Sequence, residues 1–172
     1  MTGENLRKLL HYNPETGVFT WLVKPNRRIP VGSKAGSINR QGYIKIKLNG
    51  VDYKAHRLAW LYMKDKWPEK GIDNIDNVKT HNWFSNLREA DQHQNMTNCG
   101  AHKNNTSGYK GVNFHSIACK WVTQIRFDGK RVHLGLFDTP ESAFDAYCTV
   151  AKKHHGEFSN TSGGGDKWVN ID

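Results

Sequence analysis

The chain has too few cysteines to be held together by them. Cys99, Cys119 and Cys148 stand far apart in 172 residues, with no Cys-x-x-Cys pair. They supply neither a zinc knuckle nor an even disulfide framework, so reduced thiols in a cytoplasmic protein are expected. Acidic charge is also scarce: 16 Asp and Glu face 25 Lys and Arg, a formal net charge of +9. No apolar run approaches the length that spans a bilayer, and no basic-then-apolar leader opens the chain, so neither insertion nor secretion is implied. A basic chain without a membrane segment suits a polyanionic partner. The excess is uneven. Through Asn98 there are 16 basic against 9 acidic residues, a net +7; beyond it there are 9 against 7, a net +2.

The length allows one large domain or two small ones. Leu6, Leu9 and Leu10 recur at helical spacing, which predicts a short amphipathic helix over residues 5–12. Asn13-Pro14-Glu15-Thr16-Gly17 is turn chemistry, and Val18 to Val23 reads as a strand. Lys24-Pro25-Asn26-Arg27-Arg28 is a basic loop suited to phosphate. Residues 42–55 read as a hairpin, since Asn49-Gly50 favours a type I′ turn and Ile44, Ile46 and Leu48 alternate with Tyr43, Lys45 and Lys47. One face packs; the other offers Lys45, Lys47 and Lys54 to a phosphate backbone. A helix from His56 to Lys64 puts Leu58, Leu61 and Tyr62 on one face, with Trp67-Pro68 as its stop. Arg57 at its start is a candidate DNA contact, and His56 alone reads as structural.

Chemistry is expected between Gly71 and Asn95. Gly71-Ile72-Asp73 places a carboxylate at the end of a short strand, and a polar loop follows. A helix is predicted to begin near Ser85, with Arg88 and Glu89 in its first turn. A strand-end carboxylate facing a polar helix can hold one hard cation through oxygen ligands. The plainer alternative is a solvated loop capped by an Asn-rich helix. The spacing of Asp73, Asn86-Leu87-Arg88 and Asn95 resembles the ββα-metal core of HNH endonucleases, with residues 1–98 as the nuclease domain. That resemblance implies one Mg²⁺ or Mn²⁺ on Asp73 and Asn95, and catalytic positions at 74 and 86, with Asn86 orienting the water. Position 74 departs from the family. A general-base histidine is usual there, and this chain has Asn74, whose amide has no titratable proton near neutral pH. His81 and His93 are near in sequence, but His81 falls in the loop beyond the strand.

Residues 99–107 are small and polar, a linker. After it come three predicted strands, Tyr109 to His115, Lys120 to Phe127 and Lys130 to Gly135, the last two joined by an Asp128-Gly129 turn. Thr139 can cap a helix from Pro140, with Ala143, Ala146, Tyr147 and Val150 as its packing stripe. From Ser162 onward the tail (161–172) reads as flexible, with no signal for where Trp168 docks. Tyr109-Lys110-Gly111-Val112, Trp121, Leu134-Gly135-Leu136-Phe137-Asp138 and the helix ending at His155-Gly156 resemble the AP2 DNA-binding domain over residues 108–160. In that family the sheet enters the major groove. The resemblance therefore implies DNA contacts from Lys110, Asn113, His115, Gln124, Arg126, Arg131 and His133. Gln suits adenine and Arg suits guanine through bidentate contacts. Asn113 and His133 stand where plant members usually have Arg and Trp.

The fold class expected is α+β: a ββα-metal nuclease unit preceded by a hairpin, then a three-stranded antiparallel sheet packed on one helix. Together the two resemblances imply a homing endonuclease of the kind found in phages, acting on double-stranded DNA in a host cytoplasm. No obligate protein partner is evident. With Asn74 the chain is expected to bind DNA and metal but to cut slowly or not at all. The rival from another class is a non-enzymatic DNA-binding regulator on a decayed nuclease scaffold. RNA binding is a weaker third, because no RNP-type motif is present.

Overall fold

The computed structural model describes residues 1–102 and 104–161. The tail from Ser162, with Trp168, lies outside the described residues. The chain divides into two compact units, Met1–Gln92 and one beginning at His93, so the division comes ahead of the boundary expected at 98.

In the first unit, α1 (Gly3–Leu9) starts on Thr2, whose side chain accepts from the Asn5 N–H. It is shorter than the expected 5–12, because Leu10–Asn13 is drawn into a strand, β1, pairing with β2 (Val18–Trp21). Asn13 makes the turn between them by accepting the N–H groups of Glu15 and Thr16. β3 (Ser37–Ile38), β4 (Ile44–Leu48) and β5 (Val51–Lys54) form an antiparallel sheet in that order. The hairpin between β4 and β5 turns on Asn49 (φ 50°) and Gly50 (φ 84°), the two positive angles that the dipeptide predicted. α2 (Ala55–Lys64) follows directly. It ends on Asp65 in the left-handed region, before Trp67-Pro68 is reached. Leu6, Leu10, Tyr12, Phe19, Ile46, Leu48, Leu58 and Leu61 make the core on which these elements meet.

β6 (Gly71–Asn74) then pairs antiparallel with β7 (Leu87–Ala90), placing Asp73 opposite Arg88 and Asn74 opposite Leu87. This corrects the helix expected from Ser85. Phe84–Asn86 is a single 3₁₀ turn, Leu87–Ala90 is extended, and the helix α3 (Gln92–Asn98) starts only afterwards. Leu-Arg-Glu-Ala carries good helix formers, but a waiting partner strand outweighs a propensity worth tenths of a kcal/mol per residue. Leu87 and Ala90 are buried as a result.

The second unit contains β8 (Val112–His115), β9 (Lys120–Phe127) and β10 (Lys130–Phe137), with β9 central. Asp128 (φ 49°) and Gly129 (φ 73°) make the β9–β10 turn. β10 runs two residues past its expected end, through an irregularity between His133 and Gly135. α4 (Pro140–His155) is capped by Thr139, which accepts from the Ser142 N–H. Ala143, Phe144, Tyr147 and Ala151 bury against Val112 and Ile125. Phe144 and Ala151 thus replace Ala146 and Val150 as the centre of the predicted stripe. Among the described residues no helix is long and apolar enough to cross a membrane.

Gly17 is where side-chain volume is least tolerated in the first unit. Its φ is +71°, and an added Cβ would lie 2.3 Å from the Asn82 and Trp83 backbone. Gly17→Ala should therefore lower stability by more than about 1 kcal/mol, read as a lower thermal midpoint with an unchanged folded circular dichroism spectrum.

Candidate active site

The β6–β7 pair brings two charged side chains together away from water. Asp73 is 5% exposed. Arg88 reaches its Oδ2 with both Nε (3.0 Å) and Nη2 (2.9 Å). A carboxylate buried this deeply needs such a partner, and breaking the ion pair is costly.

The loop after β6 is exposed along much of its length but tied down by hydrogen bonds at its base. Asn74, 5% exposed, donates through Nδ2 to the His81 carbonyl at 2.7 Å. Asn86, also 5% exposed, donates through Nδ2 to the same carbonyl at 2.9 Å and to Asp76 Oδ1 at 2.9 Å. Its Oδ1 accepts the Asp76 N–H at 3.1 Å. Asp76 also accepts the Val78 N–H, a local Asx turn, and its other oxygen lies 2.7 Å from His81 Nδ1. The His81 ring packs on Trp83 with centroids 4.4 Å apart. Asn74 and Asn86, twelve residues apart, thus converge on one loop. Sequence reasoning set His81 aside because it falls in the loop beyond the strand, put Arg88 in a helix, and gave Asp76 no part beyond the loop. The available signal was Asp76-Asn77-Val78, a turn-forming sequence that predicts a carboxylate bent back toward its own chain.

Of the two ligands that the resemblance implies, Asp73 is a carboxylate of the first unit and Asn95 an amide of the second, both oxygen donors. Asn95 lies on α3, past the division after Gln92. Among the described residues no group of three or more His, Cys, Asp and Glu could hold a metal ion. A cation here would rest on few protein oxygens plus water and phosphate, the ligation that magnesium accepts. The Asp73 carboxylate suits that hard cation in donor chemistry.

The candidate DNA contacts fall on two sheets. In the first unit, Lys45 pairs with Lys54 and Lys47 with Asp52 across β4–β5, so all four share a face. Lys45 Nζ bonds Asp52 at 2.8 Å, Lys54 lies 4.4 Å over the Tyr43 ring, and Arg57 lies over Trp67. Lys47 is exposed. Lys24, Lys34, Lys45 and Lys47 line a cavity of about 750 Å³ beside this hairpin. In the second unit, Gln124 pairs with His133 and Arg126 with Arg131, while Asn113 and His115 sit opposite Val122 and Lys120. Alternation puts all six candidates on one face of the sheet, opposite the face covered by α4. His115 Nδ1 accepts the Ala118 N–H. Lys110 is placed differently: its ammonium donates to the carbonyls of Thr97 and Cys99, and burial lowers its pKa to about 8.

His56 is 4% exposed, its ring edge-on to Tyr43. Burial, helped by Lys54 and Arg57, pushes its pKa down to about 4.

No family model matches the chain, and no curated protein matches it. One solved structure does, described as "DNA binding and cleavage by the HNH homing endonuclease I-HmuI". The match is 20% identical, covers 86% of this chain and 85% of that one, and has a TM-score of 0.41. A similarity of that size assigns neither fold nor activity to this chain.

Because His56 is neutral in the fold, protons bind it more readily once the chain unfolds. Stability should be full above about pH 6.5 and fall as the pH drops toward 4, by on the order of 3 kcal/mol in total. Urea melts across that window should show a steeper acid loss in the native chain than in His56→Phe.

Proposed function

We propose that the chain is a metal-dependent DNA endonuclease of the HNH homing type, with an AP2-like sheet as its sequence reader. The observation that carries the reading is the convergence of Asp73, Asn74 and Asn86 on one strand pair and the loop it closes. A buried carboxylate held by an arginine, beside two amides, suits phosphoryl chemistry, in which positioning and charge stabilisation do most of the work. A divalent cation, when bound, would polarise the scissile phosphate and stabilise the departing 3′ oxygen. Asp73 would be the charged ligand of that cation. Arg88 orients the Asp73 carboxylate, and Asn86 keeps the loop closed against the strand. The net +7 of the first part supplies sequence-independent attraction to DNA. Gln124, Arg126 and Arg131 share a face from which a groove can be read.

A second reading, a DNA-binding regulator without cleavage, is favoured by one observation. Asn74 occupies the position of the expected base and donates its N–H to the His81 carbonyl. The two readings part on metal-dependent cleavage of a randomised duplex library whose ends are mapped by sequencing.

Asp73→Ala should reduce cleavage to background and abolish bound Mn²⁺. Since that change removes the acceptor of two Arg88 hydrogen bonds, Asp73→Asn is measured beside it, and it should also lose cleavage while staying folded. On the selected site, Arg126→Ala should cost about 1–3 kcal/mol, with a much smaller loss on random duplex in competition binding. Lys45→Ala, Lys47→Ala and Lys54→Ala should instead weaken all duplexes alike and lower the salt slope by about one for each phosphate no longer neutralised.

A further inference from the structure

We propose that His81, oriented by Asp76, is the general base of this site and supplies the imidazole that position 74 lacks. The inference rests on the nuclease reading and deepens it. Its ground is that the side chains at both expected catalytic positions engage His81. Asn74 and Asn86 each donate an amide N–H to the His81 carbonyl, at 2.7 and 2.9 Å, and so fix its backbone. Asn86 also holds Asp76, and Asp76 holds the ring.

The tautomer follows from the partner. An ionised carboxylate only accepts hydrogen bonds, so in the neutral ring Nδ1 carries the proton toward Asp76 Oδ2 at 2.7 Å. Nε2 then keeps a lone pair. Among the described residues it has no hydrogen-bond partner, and the side chain is 43% exposed, so solvent reaches it. The Trp83 ring restrains the imidazole from one side. Asp76 is the charged group facing His81, since Lys79 is turned away to the Gln41 carbonyl and the Tyr43 ring. A base needs a positioned ring, a fixed tautomer and access to the water it deprotonates; a carboxylate on the far nitrogen contributes the first two.

The step balances without a further reactant. One O–H bond of the attacking water breaks and its proton passes to Nε2. The water oxygen forms the new bond to phosphorus as the P–O3′ bond breaks. The 3′ oxygen leaves with the bonding pair and takes a proton from solvent, and the imidazolium returns its proton to solvent. Asp76 touches no reacting atom in this scheme and is a positioning residue.

The test uses the full chain on the randomised duplex library with Mn²⁺, comparing native, His81→Ala, Asp76→Ala, Asn74→His and the His81→Ala/Asn74→His pair. Native protein should cut. His81→Ala should cut at least about a hundredfold more slowly, with unchanged DNA affinity and thermal midpoint. Added free imidazole should restore part of that loss, which a structural defect would not allow. The double variant should also recover, because it places an imidazole at position 74. Asp76→Ala should fall between native and His81→Ala. Equal cutting by native and His81→Ala overturns the proposal and leaves the nuclease reading standing. So does cutting by Asn74→His alone, which would make position 74 the base. If no variant cuts, Asn74→His and the double variant included, the nuclease reading itself fails and takes the proposal with it.

Discussion

The antiparallel pairing of β6 with β7 is the constraint on which the candidate site depends. It sets Asp73 opposite Arg88, and the guanidinium stabilises a buried carboxylate where water cannot solvate it. Breaking such a buried pair costs about 3–5 kcal/mol in comparable cases. The same pairing closes the twelve residues between Asn74 and Leu87 into a loop whose ends are adjacent. Without it, Asn86 would have no reason to meet Asp76.

Closure turns a stretch of polar residues into an ordered network. Asn74, Asp76, Asn86 and the His81 carbonyl satisfy one another, so the two buried amides, Asn74 and Asn86, cost little by being there. The ring of His81 stays at the rim, tied by one nitrogen and open at the other. Such a network specifies a single loop conformation. Unlike the lysines of the β4–β5 hairpin, whose ammonium groups stay in or near water, its two amides lose most of their solvation on folding.

The two sheets illustrate different relations between side chains and surface. Both follow strict alternation, so which residues share a face was legible from period two. What each side chain does there was not. Lys45 is engaged by Asp52 and Lys54 lies on an aromatic ring. Lys110, grouped by resemblance with the sheet-face residues, is buried against two carbonyls that a linker-like sequence gave no cause to expect.

Turns, caps and alternation were determined by the sequence alone, because they rest on neighbouring residues. Asn49-Gly50, Asp128-Gly129, the Thr139 cap and the outer face of β9 all fell where their local chemistry put them. The candidate ligands and amides came from a resemblance in spacing between Asp73 and Asn95. Tertiary structure decided what local preference left undetermined. Leu87–Ala90 became a strand because β6 offered hydrogen bonds and a place to bury Leu87 and Ala90, against a modest helical preference. The His81 ring came to lie against Asp76 because that strand pair brings the loop's two ends together, and a five-residue separation says nothing of direction until the loop between them is closed.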